Sequence, residues 1–165
     1  MVVAVTPEGR VVLVKQFRFP MREYAFELPG GGSGRQAPLD AAARELREET
    51  GYTAGRLTEL GTFVVYCGLS DEVCHVFLAQ DLETGEQALD QTEHIAVHTV
   101  TYDELKRMIG GGEFRDGAWP RCKSRCRIWS RCERRIRRSR ERRTACRNSF
   151  RPLRGRGHSM PCPGP

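Results

Sequence analysis

Apolar and polar positions along the chain form segments short enough for a small layered domain. β-branched residues dominate 2–5 and 10–17, and 6–9 between them reads Thr-Pro-Glu-Gly. Because Pro and Gly supply turn dihedral angles, this pattern predicts a β-hairpin. A third strand is predicted over 22–28, where apolar and polar residues alternate. Further strands are predicted over 57–66, 73–80 and 94–101.

Two segments between these strands favour helices. Residues 38–50 contain good helix formers and start with proline, which suits a first helical turn. Gly51 stands where a left-handed residue would end that helix. A second helix is predicted over 102–110, because its first turn carries two acidic residues. Strands interleaved with two helices indicate an α/β layered domain.

Charge divides the 165-residue chain into two unlike parts. Residues 1–117 hold 11 Lys and Arg against 19 Asp and Glu, a net charge of −8. Residues 118–165 hold 16 basic against 2 acidic residues, a net charge of +14, and five of the seven cysteines. The overall charge of +6 therefore describes neither part. It is no argument for a nucleic-acid partner of the acidic part.

Other features bound the class of protein. The longest apolar runs, such as Val11–Val14, are too short to span a membrane. The first residues have neither the basic flank nor the apolar length of a signal peptide, so a cytoplasmic protein is expected. The chain has an odd number of cysteines, which argues against a framework of paired disulfides.

The predicted helix over 38–50 concentrates carboxylates. At 100° per residue, Glu45, Glu48 and Glu49 share one face. Like charges at these spacings weaken a helix by about 0.2–0.5 kcal/mol per pair. Seen alone, this is a solvated acidic face paired with arginines, but the glycine-rich loop upstream favours a chemical role. The opposite, core-facing side is predicted to carry Leu39, Ala42, Ala43 and Leu46.

The loop and this helix together resemble a known motif. Gly30, Gln36 and the run 44–52 stand at the spacing of the Nudix box, G-x5-E-x7-R-E-U-x-E-E-x-G-U, where U is bulky and apolar. Each fixed position matches except the first glutamate, which is Gln36 here. An amide can keep a hydrogen bond there but not a charge. The resemblance covers residues 1–117 and implies a Nudix-type α/β/α sandwich with a mixed sheet.

The resemblance also implies a metal site. Glu45 and Glu49 would be the main Mg²⁺ ligands, with Mn²⁺ as an alternative ion. Glu48 would assist as a ligand and in catalysis, and the Gly30 carbonyl would complete the site. Arg44 would orient a glutamate through an ion pair. Hard oxygen ligands of this kind suit Mg²⁺, which also bridges to substrate phosphates.

The flanking segments resemble one branch of the family, the ADP-ribose pyrophosphatases. Residues 15–20 and 24–30 are similar to the strand and the Glu-Leu-Pro segment that precede the box in that branch. By this likeness Arg18 and Glu27 would line the substrate pocket. Glu72 would contact the substrate or metal-bound water, although it could also merely end a loop, and the first role is favoured. The implied reaction hydrolyses a nucleoside diphosphate linked to another moiety, with ADP-ribose giving AMP and ribose 5-phosphate.

The resemblance also implies a general base on the loop before the last strand. Glu93 is the glutamate in the matching stretch, while Gln91 stands where some relatives carry the base. A carboxylate can accept a proton from attacking water, whereas an amide cannot. The resemblance leaves a homodimer open.

Residues 118–165 depart from the family pattern, in which an apolar helix usually closes the sandwich. Ile128, Cys132 and Ile136 are spaced by four, which allows a short basic amphipathic helix over 124–143. The domain boundary is therefore placed at residue 117, with the closing helix expected to be missing and the tail disordered or frame-shifted.

Three interpretations of the tail stay open. Cys122, Cys126 and Cys132 have part of the spacing of a zinc module. An Arg-rich segment could instead be an arm that binds nucleic acid, attached to a catalytically impaired fold. A shift of reading frame near residue 117 is favoured over both, because Arg, Cys, Ser, Pro and Gly abound without periodicity.

Overall fold

The computed structural model describes residues 1–115, 130 and 133–136. Between 1 and 115 the elements follow the predicted order. Strand β4 starts earlier than the predicted residue 57, because the left-handed Gly51 turns the chain directly from helix into strand. The elements are β1 (Val2–Ala4), β2 (Arg10–Arg18), β3 (Glu23–Glu27), α1 (Pro38–Thr50), β4 (Tyr52–Val64), β5 (Val73–Thr84), β6 (Ala96–Thr101) and α2 (Tyr102–Gly111).

The described strands form two three-stranded sheets. One has the order β1-β5-β4 and is mixed, with β1 parallel to β5 and β5 antiparallel to β4. The other has the order β3-β2-β6 and is antiparallel. The layered α/β fold with a mixed sheet that the sequence predicts is therefore confirmed.

Of the predicted hairpin between 2–5 and 10–17, the turn forms, with the Gly9 N–H donating to the Thr6 carbonyl at 2.9 Å, but the ladder of paired strands is wrong. Strand β1 pairs with β5, placing Val3 opposite Leu78, and one isolated bridge between Val5 and Val11 links it to β2. The turn after β1 carries the chain from one sheet to the other. A parallel pairing with a strand some 75 residues away leaves no mark in a local turn pattern.

The central strands bury both faces, which explains their continuous apolar runs. Alternate residues of β1, β2 and β5 enter two clusters, one beneath each helix. The cluster under α1 contains Val2, Ala4, Val12, Ala42, Leu46, Phe77, Ala79 and Leu82. The cluster under α2 includes Val3, Val11, Leu13, Leu78, Leu105, Ile109 and Phe114. Among the residues that the structure describes, no helix is long and apolar enough to cross a membrane.

Helix α1 begins and ends as predicted. Pro38 is its first residue, and Gly51 takes φ 73° and donates its N–H to the Arg47 carbonyl. The predicted core face is partly wrong, because Leu39 is 46% exposed and Ala43 is also exposed. Ala42 and Leu46 are buried as predicted, and Ala41, which was not predicted, is buried beside them.

Most of the second compositional part lies outside the described residues. The predicted cysteine module, the missing closing helix and the nucleic-acid arm all fall there. Of the predicted helix over 124–143, the described residues 130 and 133–136 are helical. Ile136 is 2% exposed and belongs to the cluster under α2.

Candidate functional site

The acidic face of α1 is organised by one arginine. The guanidinium of Arg44 donates from Nη2 to Glu45 Oε1 and from Nη1 to Glu48 Oε2, both at 2.7 Å. Its Nε donates to Gln36 Oε1 at 2.9 Å, so the amide makes the hydrogen bond expected of that position. These pairs raise the pKa of Arg44 above its ordinary value. Arg44 thus fixes two carboxylates of the motif and the loop before the helix.

Glu49 is the buried member of the acidic face, with 5% exposure. Its Oε2 accepts the backbone N–H of Gly30 at 2.8 Å. Burial raises the pKa of this carboxyl to about 7, against the lowering effect of the Gly30 hydrogen bond, and the charges of Glu45, Glu93 and Glu27 raise it further. Burial, assisted by neighbouring carboxylates, therefore outweighs the hydrogen bond that favours the charged form of Glu49.

The glycine-rich loop lies directly against this face. A Cβ at Gly31 would lie 2.5–2.7 Å from the carboxylate atoms of Glu45, whereas a Cβ at Gly32 would meet nothing within 4 Å. Glycine at position 31 is therefore what lets Glu45 reach its place beside Arg44. The predicted role of the Gly30 carbonyl stays a prediction, since the observed contact of Gly30 is its N–H.

A cleft of about 960 Å³ opens beside the loop and contains the predicted substrate residues. Arg18 donates two hydrogen bonds to the carboxylate of Glu27, one of them from Nε at 2.7 Å. Gln16 donates a third at 3.0 Å. Arg18, Glu27 and Glu72 all line the cleft together with Gly30 and Glu45. The structure thus brings together the residues predicted from the flanking segments and two of those predicted from the motif.

The remaining predicted residues, Arg44, Glu48, Glu49 and Glu93, are not among those that line the cleft. Glu48 and Glu49 belong to the last turn of α1, and Glu93 lies in the segment between β5 and β6. Glu93 closes a local turn, in which its carboxylate accepts the N–H of Asp90 at 3.1 Å. Its charge nevertheless contributes to the raised pKa of Glu49, after burial and the charge of Glu45.

Arg115 is a cleft residue that the sequence did not reveal. Its Nη1 lies 2.6 Å from Glu23 Oε1, and its Nε donates to the Gly112 carbonyl at 3.1 Å. The side chain lines the cleft, and the residue follows the end of α2 in the sequence. A single arginine after a helix end belongs to no motif, so no sequence signal could have found it.

The donor set fits a hard divalent cation. No three His, Cys, Asp or Glu side chains within 1–115 or the short described stretch near 133 already stand in metal-binding geometry. The carboxylates of Glu45, Glu48 and Glu49 are nonetheless oxygen ligands of the kind Mg²⁺ prefers. A cation there would favour the charged form of Glu49, whose pKa is raised by burial and by the neighbouring carboxylates.

Comparison with known proteins gives three findings. Residues 1–119 match the model of the NUDIX domain family. An ADP-ribose pyrophosphatase of Bacillus subtilis (strain 168) is 41% identical over 118 residues, which cover 70% of this chain and 64% of that protein. A methanol dehydrogenase activator of Bacillus methanolicus is 35% identical over 111 residues, 66% of this chain and 60% of that protein.

A solved structure titled as an ADP compounds hydrolase resembles this fold with a TM-score of 0.62 and 20% identity. The alignment covers 71% of this chain and 64% of that one. At this identity the likeness concerns the fold. The chain spans less than two thirds of the length of each of these three proteins.

Proposed function

The chain belongs to the Nudix family, and from this premise we propose that it is a metal-dependent pyrophosphohydrolase acting on a nucleoside diphosphate linked to a second moiety. ADP-ribose is the proposed substrate, with AMP and ribose 5-phosphate as products. The pyrophosphatase from Bacillus subtilis and the flanking segments around Arg18 and Glu27 support this choice.

Mg²⁺ is the proposed cofactor, with Mn²⁺ as the alternative. Glu45, Glu48 and Glu49 would hold it, because their carboxylates share one helix face beside the substrate cleft. When bound, such an ion polarises the diphosphate and makes water more acidic. Arg44 neutralises part of the charge of Glu45 and Glu48 and keeps both in place before any cation arrives.

The protein itself would supply orientation and a base. Glu93 would accept the proton of the attacking water while the water oxygen bonds to phosphorus and the bridging P–O bond breaks. Arg18, held by Glu27, would position the substrate in the cleft, and Glu72, which also lines the cleft, would contact it. Fixing the reactants in this way lowers the entropic part of the barrier.

One observation carries the proposal. A single guanidinium bridges Glu45 and Glu48 at 2.7 Å each, while Glu49 turns back to the glycine loop that borders the cleft. A solvated acidic face would hold exposed, independent carboxylates. Here one member is buried at an energetic cost, which a purely structural helix would avoid.

The test is a coupled phosphate assay. ADP-ribose is incubated with protein, Mg²⁺ and phosphatase, and released phosphate is measured for the wild type, Glu49→Gln and the control Glu83→Gln. Glu83 is an exposed glutamate on β5, so its variant should keep full activity. Glu49→Gln should lose activity by about 10²-fold or more. Equal rates for the wild type and Glu49→Gln would refute the assignment of the acidic helix.

A further inference from the structure

The segment 85–95, which carries Glu93, is fastened to the carboxyl end of α1. The N–H of Ala88 donates to the Glu48 carbonyl at 2.9 Å. The side-chain amide of Gln87 donates to the Glu49 carbonyl at 2.6 Å and to the Ile95 carbonyl at 3.3 Å. Gln87 therefore links the helix to both ends of the segment.

Close backbone packing supports the same attachment. A Cβ at Gly51 would lie 2.5 Å from the Gly85 carbonyl oxygen, and a Cβ at Gly85 would lie 3.0 Å from the Gly51 oxygen. Glycine on both sides lets the start of the segment pass directly over the helix end. The segment thus leaves β5 in contact with the residues that follow the acidic face.

The hydrogen bonds of Gln87 and Ala88 supply partners for carbonyl groups at the carboxyl end of α1. The last four carbonyls of a helix have no partner within the helix, and in α1 two of these carbonyls belong to Glu48 and Glu49. Ala88 and Gln87 satisfy these two carbonyls. Because the same amide also reaches Ile95, two residues beyond Glu93, the loop between is closed at both ends.

We propose that Gln87 is a positioning residue, which holds Glu93 beside the acidic face by bridging the Glu49 and Ile95 carbonyls. This inference rests on the proposed function, in which Glu93 is the base. Without the bridge, Glu93 would still be present but its segment would be anchored at one end. A displacement of about 1 Å at a reacting group can lower a rate by about 10²-fold.

Kinetics of a double-mutant cycle test the proposal. Gln87→Met keeps the length of the side chain and removes both donors, and Glu93→Gln removes the base. We expect Gln87→Met to lower kcat by about 10- to 100-fold with KM nearly unchanged. In the Glu93→Gln background the same substitution should lower kcat by less than about twofold, since the two residues act in series. Independent, multiplicative losses would overturn the proposal, as would an unchanged kcat.

Gln80→Met is the matched control. Gln80 lies on β5, outside the proposed site, and its variant should keep the kcat of the wild type. The melting temperatures of Gln87→Met and Gln80→Met should agree within a few degrees, so that a loss specific to Gln87→Met reports position and not global unfolding.

Amide hydrogen exchange without metal provides a readout independent of activity. Gln87→Met should accelerate exchange over 88–94 by about tenfold or more and leave α1 protected. If the wild type proves inactive on ADP-ribose, the proposed function fails, while exchange still tests the bridge. Unchanged exchange over 88–94 would overturn the positioning role even in an active enzyme.

Discussion

The backbone N–H of Gly30 donates to the carboxylate of Glu49 at 2.8 Å, joining the glycine loop to the last turn of α1. This hydrogen bond favours the charged form of Glu49. Burial and the neighbouring carboxylates favour the neutral form more strongly, so that the pKa rises to about 7. With the Gly30 hydrogen bond alone, Glu49 is therefore only partly ionised near pH 7, and a further positive charge would favour its charged form.

Stability without metal should fall as the pH rises. The pKa of Glu49 is about 7 in the folded chain and 4.5 as a reference for the unfolded chain. Between these values the folded state binds more protons, so its stability decreases with pH. The contribution of Glu49 is complete below about pH 4.5 and lost above about pH 7, with a size of about 3 kcal/mol. Urea unfolding in EDTA from pH 5 to 8 measures it.

The variant Glu49→Gln supplies the control for this pH dependence. Its amide stays neutral at every pH and should remove most of the slope between pH 5 and 8. Saturating Mg²⁺ should stabilise the wild type at pH 8 more than Glu49→Gln, because a cation binds the folded, ionised site. The same slope in both proteins would show that Glu49 titrates normally.

Gly31→Ala should impair activity with little effect on stability. The added Cβ would meet the Glu45 carboxylate, which is the movable end of a flexible side chain, so the chain can fold by displacing it. That displacement breaks the 2.7 Å pair with Arg44. We expect kcat to fall by about 10²-fold, as for other misplaced reacting groups, and the melting temperature to change by a few degrees at most.

Gly32→Ala is the matched control for that substitution. A Cβ at Gly32 faces open space, so this variant should keep the rate of the wild type. Comparable losses in both variants would show that loop flexibility, and not the clearance for Glu45, sets the rate.

Arg115→Gln should weaken substrate binding. Arg115 is a cation on the cleft wall whose carboxylate partner, Glu23, lies outside the described lining of the cleft. An anionic diphosphate can use the remaining donors of its guanidinium. We expect KM for ADP-ribose to rise by about tenfold, typical of one hydrogen bond to a charged group, with kcat retained.

Arg56→Gln is the control for Arg115→Gln. Arg56 forms a similarly exposed ion pair with Asp81, at 3.4 Å, on the β4–β5 ladder. Exposed pairs contribute about 0–1 kcal/mol, so neither variant should unfold. A rise in KM shared by both variants would indicate a general effect of lost positive charge.

The parts of the fold that the sequence predicts are those with local causes. Pro38 and Gly51 mark the ends of α1 because the dihedral angles of these residues suit those positions. Thr101 and Glu104 begin α2 with reciprocal capping hydrogen bonds. The pairing of β1 with β5 has no local cause, since two distant strands meet through burial on both faces. It therefore escaped the turn pattern that predicted a hairpin.

In the candidate site too, the residues that the sequence predicts are those placed by local structure. Helical periodicity places Glu45, Glu48 and Glu49 on one face, and the structure shows them there. The bridges made by Arg115 and Gln87 depend on elements brought together only by folding. In the sequence, Arg115 cannot be told from any other surface arginine, and Gln87 cannot be told from any other surface glutamine.

The status of residues 118–165 can be tested at Ile136. If this part is an appendage without a native contact, as a frame shift would imply, replacing Ile136 should be neutral. The structure instead places Ile136 in the cluster under α2 with 2% exposure. Ile136→Ala should then lower the free energy of unfolding by about 2–5 kcal/mol, the usual cost of such a truncation in a core. Arg135→Ala, at an exposed neighbour, should change the free energy of unfolding by about 0.5 kcal/mol or less.

Urea unfolding of the wild type and the two variants tests whether Ile136 belongs to the folded domain. Equal midpoints would place the boundary of the folded domain before this segment. A lowered midpoint for Ile136→Ala alone would place the boundary after it.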